Sequence, residues 1–550
     1  MRPVSDAASP GSGTGARAPA RRAPAIAAAL VVLWGVGYIA RTSFVVDGRR
    51  YFGILDDVAI SMAYARNLVE GRGLTWNAGG DSVEGFTHPL WLAPMIVAQA
   101  SGLPPGARPL LVQILSLALL AALPFVAARL VRRLGGDEDW TVAVAAAVAL
   151  TAGCYPLAVW SLLGMETALH ALLLAVAAER ALTSLALDRP PGMGLYVALA
   201  LGFCLRMDFL VGGGALFAAL VASRPATLRH RSCTRGIGLL LGTVAALFAV
   251  RAVVFREWLP NTYYLKLTGV PLGVRLERGA SVLVEHMAET WPFWVVLGLS
   301  VAALRRRPGA RVLGSAIAAQ VAYSVWVGGD VWDRWEAVGA NRFIAPALPL
   351  AAVLAGAGIA RFAPRMAAAP GTRRRVAAVA TSLTALAMNG LLVGGPGATR
   401  FAVLVGLESP TQTEDVRELV TRLGRFVARV EPRVLSATVW AGWPAYLHPE
   451  RRWYDVLGFN DRAGARAPAA VPLGGDAAGR FTPGHVKWDY ERALGLGVGA
   501  FFQTWPRTLG SDCVSPLPAG DERAPIERAG FVCEDGFWLG PEVTGWSATP

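Results

Sequence analysis

The feature that most constrains this chain is the recurrence of long apolar runs. A helix needs about 20 apolar residues to cross a bilayer, so the runs predict a polytopic α-helical membrane protein with about eleven transmembrane helices. Hydrophobic residues make up 54% of the 550 residues and the mean hydropathy is +0.43, which excludes an ordinary soluble multidomain protein. The candidate spans are residues 25–40, 109–131, 139–160, 164–187, 194–222, 236–255, 291–304, 311–327, 343–360 and 376–394.

The chain divides into three predicted parts. Residues 1–24 are rich in Pro, Ala, Gly and Ser and carry arginines, which indicates a disordered cytoplasmic N-terminus. The apolar run at 25–40 lacks a small-residue cleavage site followed by a soluble domain, so we expect an uncleaved first span. Residues 25–396 then form the transmembrane domain, and residues 397–550 form a soluble domain.

Arginine-rich connections predict the orientation. By the positive-inside rule they are cytoplasmic, which makes the chain a multi-pass plasma-membrane protein with a cytoplasmic N-terminus and an extracytoplasmic C-terminal domain. The basic connections are residues 129–133, 224–235, 305–311 and 361–375. The extracytoplasmic connections are then residues 42–108, 164–166, 256–290 and 328–342.

Two arrangements satisfy this orientation. In the first, residues 88–103 dip into the membrane without crossing it, and residues 194–222 form two half-length spans around Arg206 and Asp208. In the second, residues 88–103 cross and residues 194–222 form one tilted helix. The first is preferred because it keeps the arginines of residues 129–133 inside.

The basic net charge of +13 belongs to the membrane part. Residues 397–550 hold 16 Lys and Arg against 18 Asp and Glu, so the tail is near −2 and the rest near +15. Orientation in the membrane explains this distribution better than nucleic-acid binding does.

The tail is long enough for a small extracytoplasmic α/β domain. Residues 414–430 have apolar side chains at helical spacing, and residues 434–439 are typical of a buried strand. Cys513 and Cys533 are expected to pair, because an extracytoplasmic domain is in an oxidising compartment.

The first extracytoplasmic loop, residues 42–108, carries the densest chemistry. Asp56 and Asp57 are adjacent acids directly after the first span, where one can accept a proton from a substrate hydroxyl while the other orients it. Adjacent like charges also raise one pKa of the pair. The alternative is that the two acids only begin the helix that follows them, as acids commonly do.

A series of motifs identifies a resemblance. The first loop contains DDVAISMAYARNLVEGRGLTWN and VEGFTHPLW, and further matches follow in order along the chain. These are LLGMETAL (162–169), LPNTYYLK (259–266), GGD (328–330), NRFIAPALPL (341–350), DVLGFND (455–461) and PGHVK (483–487). Together they resemble the bacterial GT-C glycosyltransferases, and the nearest group is the mycobacterial-type terminal arabinofuranosyltransferases.

The resemblance implies an inverting glycosyltransferase. It would move a sugar, arabinofuranose by this likeness, from a polyprenyl-phosphate donor such as decaprenyl phosphate to a cell-envelope glycan such as arabinogalactan or lipoarabinomannan. A first-loop aspartate would be the base on the acceptor hydroxyl, which is Asp56 or Asp57, with Asp56 favoured as the earlier acid. No cofactor and no metal are predicted, because no His/Cys/Asp cluster has zinc spacing and DDVAIS is not an EF-hand loop. A divalent cation on Asp56 and Asp57 is the alternative that the sequence leaves open.

Other charged and aromatic residues are candidates for substrate binding. A glycosyl phosphate is already activated, so the protein needs a base, cations for the leaving phosphate and a shaped cavity. Lys266 beside two tyrosines suits a phosphate at the lipid interface, or is a snorkelling lysine in an aromatic belt. The full set of candidate binding residues is Arg66, Glu84, His88, Glu166, Lys266, Asp330, Arg342 and His485.

Several of these residues have an equally simple structural explanation. Asp330 follows two glycines and suits a turn. Arg206 and Asp208 are expected to pair across a broken helix. His88 stands where relatives carry Ser or Asn, which favours a hydrogen-bonded loop role, and His485 is expected to order the C-terminal domain over the cavity.

Two alternatives to arabinofuranosyl transfer remain open from the sequence. A GT-C mannosyl- or hexosyltransferase acting on a lipoglycan or a protein would share the scaffold, because specificity depends on pocket shape. A polyprenyl-linked sugar flippase or transporter would call for an inverted repeat with broken helices in two halves, and no clear repeat is present.

Overall fold

The computed structural model describes residues 17–135, 140–333, 339–367, 369–392, 394–470, 481–504 and 524–543. Helices make up most of the N-terminal part. They are α1 (Arg17–Arg41), α2 (Asp56–Val69), α3 (Leu92–Ala100), α4 (Pro109–Leu134), α5 (Trp140–Ala152), α6 (Tyr155–Leu162), α7 (Thr167–Ala186), α8 (Met193–Leu205), α9 (Phe209–Ser223), α10 (Arg231–Val254), α11 (Asn261–Leu267), α12 (Leu272–Glu289), α13 (Trp291–Leu304), α14 (Pro308–Val327), α15 (Leu348–Met366), α16 (Pro370–Met388) and α17 (Gly394–Val405).

The long apolar helices confirm a multi-pass membrane protein. Among the described residues, six helices are long and apolar enough to cross a bilayer, or eight if each of two bent pairs counts as one span. Three further apolar helices are shorter, at residues 89–100, 193–205 and 209–223. Helix α15 lies at the centre of the bundle, with every residue from Leu348 to Ala360 buried.

Residues 194–222 form two helices, as the preferred arrangement predicts. Helices α8 and α9 are separated by Arg206, Met207 and Asp208. A Cβ atom on Gly213 of α9 would lie 2.8 Å from Leu199 of α8, so the two helices pack against each other. Helix α3 has nine residues and is therefore about 14 Å long, too short to cross a bilayer.

The first loop contains a hairpin and the short helix α2. Strands β1 (Ser43–Val46) and β2 (Arg49–Phe52) pair antiparallel. Helix α2 starts at the acidic pair and is buried from Val58 to Asn67. The connection 256–290 is not an open loop, because it contains α11 and α12, and α12 bends by 93° into α13.

The C-terminal part is a small α/β domain, as the sequence predicts. Its helices are α18 (Thr411–Arg429), α19 (Trp443–Leu447), α20 (Arg462–Arg466), α21 (Tyr490–Gly495) and α22 (Ala524–Arg528). Its strands are β3 (Ser436–Thr438), β4 (Trp453–Asp455), β5 (Ala500–Phe501), β6 (Val532–Glu534) and β7 (Phe537–Leu539).

The sheet of this domain has five strands in the order β4-β3-β5-β7-β6. Strand β3 pairs parallel with β4 and with β5, and the remaining pairs are antiparallel. Ser436, Ala437 and Thr438 are all buried, as expected for a central strand. Cys533 is disulfide-bonded, and its expected partner Cys513 lies outside the described residues.

The C-terminal domain packs directly on the first loop. Trp76 Nε1 donates to the Ala441 carbonyl at 2.8 Å, and Asn77 exchanges two hydrogen bonds with the backbone of Trp453. Trp443 Nε1 donates to the Ile54 carbonyl at 3.3 Å. The C-terminal domain is therefore tightly packed on the first loop, and it fixes the position of α2 and its side chains.

Candidate active site

A cavity of about 320 Å³ lies between the first loop, the helix bundle and the C-terminal domain. Acidic and basic side chains from six separate segments line it, together with aromatic and apolar side chains. The acidic and basic lining residues are Asp57, His88, Arg206, Asp208, Arg251, Lys266 and Arg342. Phe459 and Pro483 of the C-terminal domain close one side.

Asp57 faces this cavity and is ion-paired with Arg342. Arg342 Nη1 lies 2.5 Å from Asp57 Oδ2, and its Nε lies 2.9 Å from Asp330 Oδ2. Burial alone would raise the pKa of Asp57, but the charges of Arg342 and Lys266 outweigh it and hold that pKa below its usual range. Asp57 is therefore ionised at neutral pH, and Arg342 fixes its orientation.

Asp56 faces the C-terminal domain instead of the cavity. Its carboxylate accepts hydrogen bonds from the backbone N–H groups of Gly442 and Trp443, each at 3.0 Å. Burial raises the pKa of Asp56 to about 7, although the two backbone hydrogen bonds oppose the shift. The two carboxylates that are neighbours in sequence thus have different partners.

Lys266 points into the cavity from α11. Within the part of the chain that the structure describes, its ammonium group makes no hydrogen bond and no ion pair. Burial, followed by the charge of Arg342, lowers the pKa of Lys266 to about 8, while Asp57 and Asp330 oppose the shift. Lys266 is thus a half-buried cation whose protein counter-charges are near but not in contact.

A chain of hydrogen-bonded and ion-paired polar side chains forms part of the cavity wall and extends behind it to Ser61 and Glu166. His88 Nε2 is 2.9 Å from Ser61 Oγ, and His88 Nδ1 is 3.2 Å from Glu166 Oε2. Glu166 Oε1 accepts from Arg206 at 2.7 Å. Arg206 also donates to both carboxylate oxygens of Asp208, at 2.8 and 2.9 Å, so the pairing predicted across the broken helix is present.

A second buried ion pair joins the first loop to the bundle. Arg251 donates to both carboxylate oxygens of Glu84, at 2.7 and 3.0 Å. Both side chains are almost fully buried, and Arg251 also lines the cavity. Because the pair is bidentate, it fixes the position of residues 85–88 that follow Glu84 in the cavity wall.

The remaining candidates lie away from the cavity surface. Arg66 donates to the carbonyls of Ala445 and Tyr446, at 2.8 and 2.6 Å, so it holds α19 and does not reach the cavity. His485 packs its ring against Phe459, with 5.6 Å between centroids. Burial lowers the pKa of His485 to about 4, so the ring is neutral at neutral pH.

The structure therefore divides the predicted residues other than His485 into three groups. Asp57, His88, Lys266 and Arg342 line the cavity. Glu84, Glu166 and Asp330 pair with cationic residues that line it. Asp56 and Arg66 instead connect α2 to the C-terminal domain.

Three charged lining residues were not proposed as site residues from the sequence, namely Arg206, Asp208 and Arg251. Each is a charged residue within or between apolar segments, which is the signal that marks intramembrane functional sites. The aromatic lining residues Tyr263, Tyr323 and Trp326 lie in or beside apolar segments where packing is the commoner role.

The cavity brings together the ionised carboxylate of Asp57 and the ammonium group of Lys266, which has no ion-pair partner among the described residues. An ionised carboxylate can accept a proton from a bound hydroxyl. An ammonium group without a protein partner can hold an anionic group such as a phosphate. Among the described residues, no cluster of three or more His, Cys, Asp or Glu side chains is positioned to hold a metal ion.

No protein-family model and no curated protein matches the sequence. The crystal structure of ArnT from Cupriavidus metallidurans bound to undecaprenyl phosphate is similar, with a TM-score of 0.50, 12% identity, and coverage of 80% of this chain and 86% of that chain. The structure of the same protein in the apo state has a TM-score of 0.47 and 14% identity, and covers 77% and 83%. The first likeness confirms the predicted GT-C fold class.

Proposed function

We propose that the protein is a glycosyltransferase that uses a polyprenyl-phosphate-linked sugar and a membrane-embedded cavity. The observation that carries this proposal is that one cavity of a GT-C fold holds both ionised Asp57 and Lys266, a cation with no ion-pair partner among the described residues. ArnT, whose fold the chain shares, is a polyprenyl-phosphate-sugar glycosyltransferase, and one of its structures holds undecaprenyl phosphate.

The charge balance of the cavity favours a donor with a single phosphate. Arg206, Arg251 and Arg342 each contact a carboxylate, so their charges are already compensated. Lys266 has no such contact among the described residues. A phosphodiester carries one negative charge, which one ammonium group can balance, whereas a diphosphate would bring a second charge into a poorly solvated site.

The mouth of the cavity suits a prenyl chain. Tyr263 and Trp326 line the cavity and are also 40% and 41% exposed on the outer surface. Trp326 packs under the guanidinium of Arg275, 5.2 Å from the ring centroid. Aromatic side chains with one apolar and one polar face are typical of the membrane interface.

The protein then has mainly to position the donor and the acceptor relative to Asp57 and Lys266. The acceptor oxygen attacks the anomeric carbon, the bond from that carbon to the phosphate oxygen breaks, and polyprenyl phosphate leaves on the side of Lys266. The acceptor proton passes to Asp57. Asp57 can accept this proton despite its lowered pKa, because the acceptor hydroxyl becomes more acidic as the new bond forms. The configuration at the anomeric carbon inverts because the acceptor attacks opposite the leaving group.

Within this proposal, arabinofuranose is the donor sugar that the first-loop motifs favour, and a cell-envelope glycan is the acceptor. Mannose and other hexoses are the alternative sugars on the same scaffold. The orientation proposed from the basic connections places the cavity and the C-terminal domain on the extracytoplasmic face.

The test is a donor panel in proteoliposomes. Radiolabelled arabinofuranose, mannose and glucose are offered as polyprenyl phosphates and as polyprenyl diphosphates, with cell-envelope oligosaccharides as acceptors. We expect transfer from a monophosphate donor, and loss of at least 100-fold in Asp57→Asn. No transfer from any donor, together with movement of labelled lipid across the bilayer, would overturn the proposal in favour of a flippase.

A further inference from the structure

The short helix that carries Lys266 is held by the C-terminal domain at both ends. At the start of α11, the Asn261 side-chain amide donates to the carbonyls of Gly458 and Phe459, both at 2.9 Å. Near its end, Lys487 Nζ donates to the Tyr264 carbonyl at 3.0 Å. The same ammonium group donates to Thr268 Oγ1 at 3.4 Å.

Lys487 also ties this helix to α20. Its third hydrogen bond goes to the Ala465 carbonyl at 2.7 Å. The neighbouring Arg466 stacks over the Tyr264 ring at 3.8 Å from the centroid. Lys487 is 1% exposed and does not line the cavity, so it does not contact a substrate there.

Residues 483–487 also touch the Lys266 side chain. Gly484 has a φ of +80°, and a Cβ atom at this position would lie 3.2 Å from Lys266 Cε and 3.5 Å from Lys266 Cγ. The bare backbone of Gly484 therefore packs along the aliphatic part of Lys266. Pro483 lines the cavity beside it.

We propose that Lys487 is a positioning residue for Lys266. It fixes α11 against the C-terminal domain so that the Lys266 ammonium group points into the cavity, and Gly484 supplies the surface along which the side chain lies. The consequence for catalysis rests on the proposed function, whereas the position of Lys266 can be measured without turnover.

The environment of Lys266 is built from several elements. Asp57 on α2 and Asp330 before α15 favour its charged form, while Arg342 and Arg206 disfavour it. His485 of residues 483–487 is also close enough to interact electrostatically with Lys266. Release of α11 would move the ammonium group from this buried setting toward water, and its pKa would rise toward the ordinary value of a lysine.

The chain offers a direct probe because it contains only two lysines, Lys266 and Lys487. Lys487→Arg and Lys487→Ala each leave Lys266 as the single lysine. Reductive methylation of the full-length protein with ¹³C-formaldehyde then gives one lysine signal, separate from the N-terminal amine. Its chemical shift is followed from pH 6 to pH 11.

We expect Lys487→Arg to keep the Lys266 midpoint near 8, because arginine can donate to the same acceptors. In Lys487→Ala the midpoint rises by about one pH unit or more. Equal midpoints in the two variants overturn the inference. This arm needs no enzymatic activity, so it decides the inference even if the proposed function fails.

Steady-state kinetics of the same variants distinguish a role of Lys487 in positioning Lys266 from a general loss of folding. We expect Lys487→Ala to raise the donor KM about tenfold with kcat within about threefold of wild type, and Lys487→Arg to restore most of the affinity. Arg433→Ala, at a site that is 80% exposed, is the matched control and should match wild type. A fall in kcat alone, with an unchanged donor KM, would instead indicate a structural role and overturn the inference.

Discussion

Asp56 and Asp57 are adjacent, yet successive side chains on a helix point about 100° apart, which sends the two carboxylates to different neighbours. Asp57 meets Arg342 in the cavity, and Asp56 meets two backbone N–H groups of the C-terminal domain. The proposed base is therefore Asp57, whereas the sequence favoured Asp56.

Substitutions at Asp56 should affect stability more than chemistry. Both N–H groups lie 3.0 Å from the same oxygen, Oδ1, so the amide oxygen of Asp56→Asn can keep both hydrogen bonds. Asp56→Ala leaves both N–H groups unpaired, at a cost of about 1–3 kcal/mol each. Near pH 4, where Asp56 is uncharged in the folded protein as asparagine is, thermal unfolding in detergent should show a clear loss for Asp56→Ala and little change for Asp56→Asn.

The pH dependence of this comparison has a definite sign. The pKa of Asp56 is raised to about 7 in the folded protein, above its value of 3.8 in an unfolded chain. Protonated Asp56 therefore contributes to the free energy of unfolding in full below pH 4, and this contribution is lost as the pH rises through 7. The melting temperature of Asp56→Asn relative to wild type should increase between pH 5 and pH 8, and a constant difference would contradict this assignment.

Lys266 should set the alkaline limit of donor binding. Its pKa of about 8 means that its charge is lost as pH rises through 8, so the donor KM should increase above that pH. Lys266→Met should raise the donor KM about 10- to 100-fold at pH 7, since a charge-assisted hydrogen bond contributes about 1.5–3 kcal/mol. It should also abolish the alkaline limb of the pH profile, which is the increase of the donor KM above pH 8. Lys266→Arg should keep affinity at pH 9. An unchanged limb in Lys266→Met would contradict the assignment.

The sequence could predict which residues carry charge near the site but not how they pair. Glu84 and Arg251 are 167 residues apart, and no local pattern joins them. A pattern of residue types cannot distinguish Asp56 from Asp57. The two differ only in the folded protein, where the backbone N–H groups of Gly442 and Trp443 bind Asp56. Arg206 and Asp208 were paired correctly because both lie in one interruption of a single apolar run.

At the level of elements, α2 and α19 form the main contact between the first loop and the C-terminal domain. Asp56 binds the N–H groups at the start of α19, and Arg66 binds the carbonyls of Ala445 and Tyr446 within it. The two charges complement the two ends of the short helix. The contact fixes α2, and with it Asp57, relative to the cavity.

The contact between α2 and α19 requires a glycine at residue 442, because a side chain there would collide with Asp56. A Cβ atom on Gly442 would lie 2.1 Å from the backbone oxygen of Asp56, and its φ of −83° is open to any residue. Gly442→Ala should therefore lower the melting temperature and the transfer rate together. Gly495→Ala is the matched control, because nothing lies within 4 Å of a Cβ atom there. Equal effects of the two variants would count against the docking role of Gly442.

The buried pair of Glu84 and Arg251 should behave as a unit. Removing one partner leaves an uncompensated buried charge, so Arg251→Met alone should cost about 3–5 kcal/mol of stability. The double variant Glu84→Gln with Arg251→Met should recover a large part of that loss. A double-mutant cycle on thermal or denaturant unfolding measures the coupling, and strictly additive losses would contradict the pairing.

At the scale of the whole molecule, the apolar runs and the compositional change near residue 397 were sufficient to predict a helical membrane bundle followed by an α/β domain. The fold class is confirmed, and the predicted helix at 414–430 and strand at 434–439 correspond to α18 and β3. Helices α11 and α12 were not predicted. Their mixed sequences lie between apolar runs, and α11 is stabilised by contacts with residues far along the chain.

The proposed orientation can be tested by reporter fusions. Alkaline phosphatase joined to the C-terminus should be active, because the positive-inside rule predicts that the C-terminal domain lies outside the cell. The same reporter inserted in residues 224–235 should be inactive. Activity at the second site and none at the first would reverse the orientation.

The central claim is that the cavity between α2, α11 and the C-terminal domain binds the donor. The most direct measurement is a cryo-electron microscopy structure of Asp57→Asn with a polyprenyl-phosphate sugar, since this variant should bind the donor without turning it over. We expect phosphate density within hydrogen-bonding distance of Lys266 Nζ, the sugar beside residue 57, and the prenyl chain leaving past Tyr263 and Trp326. An empty cavity with lipid-phosphate density elsewhere on the protein would contradict it.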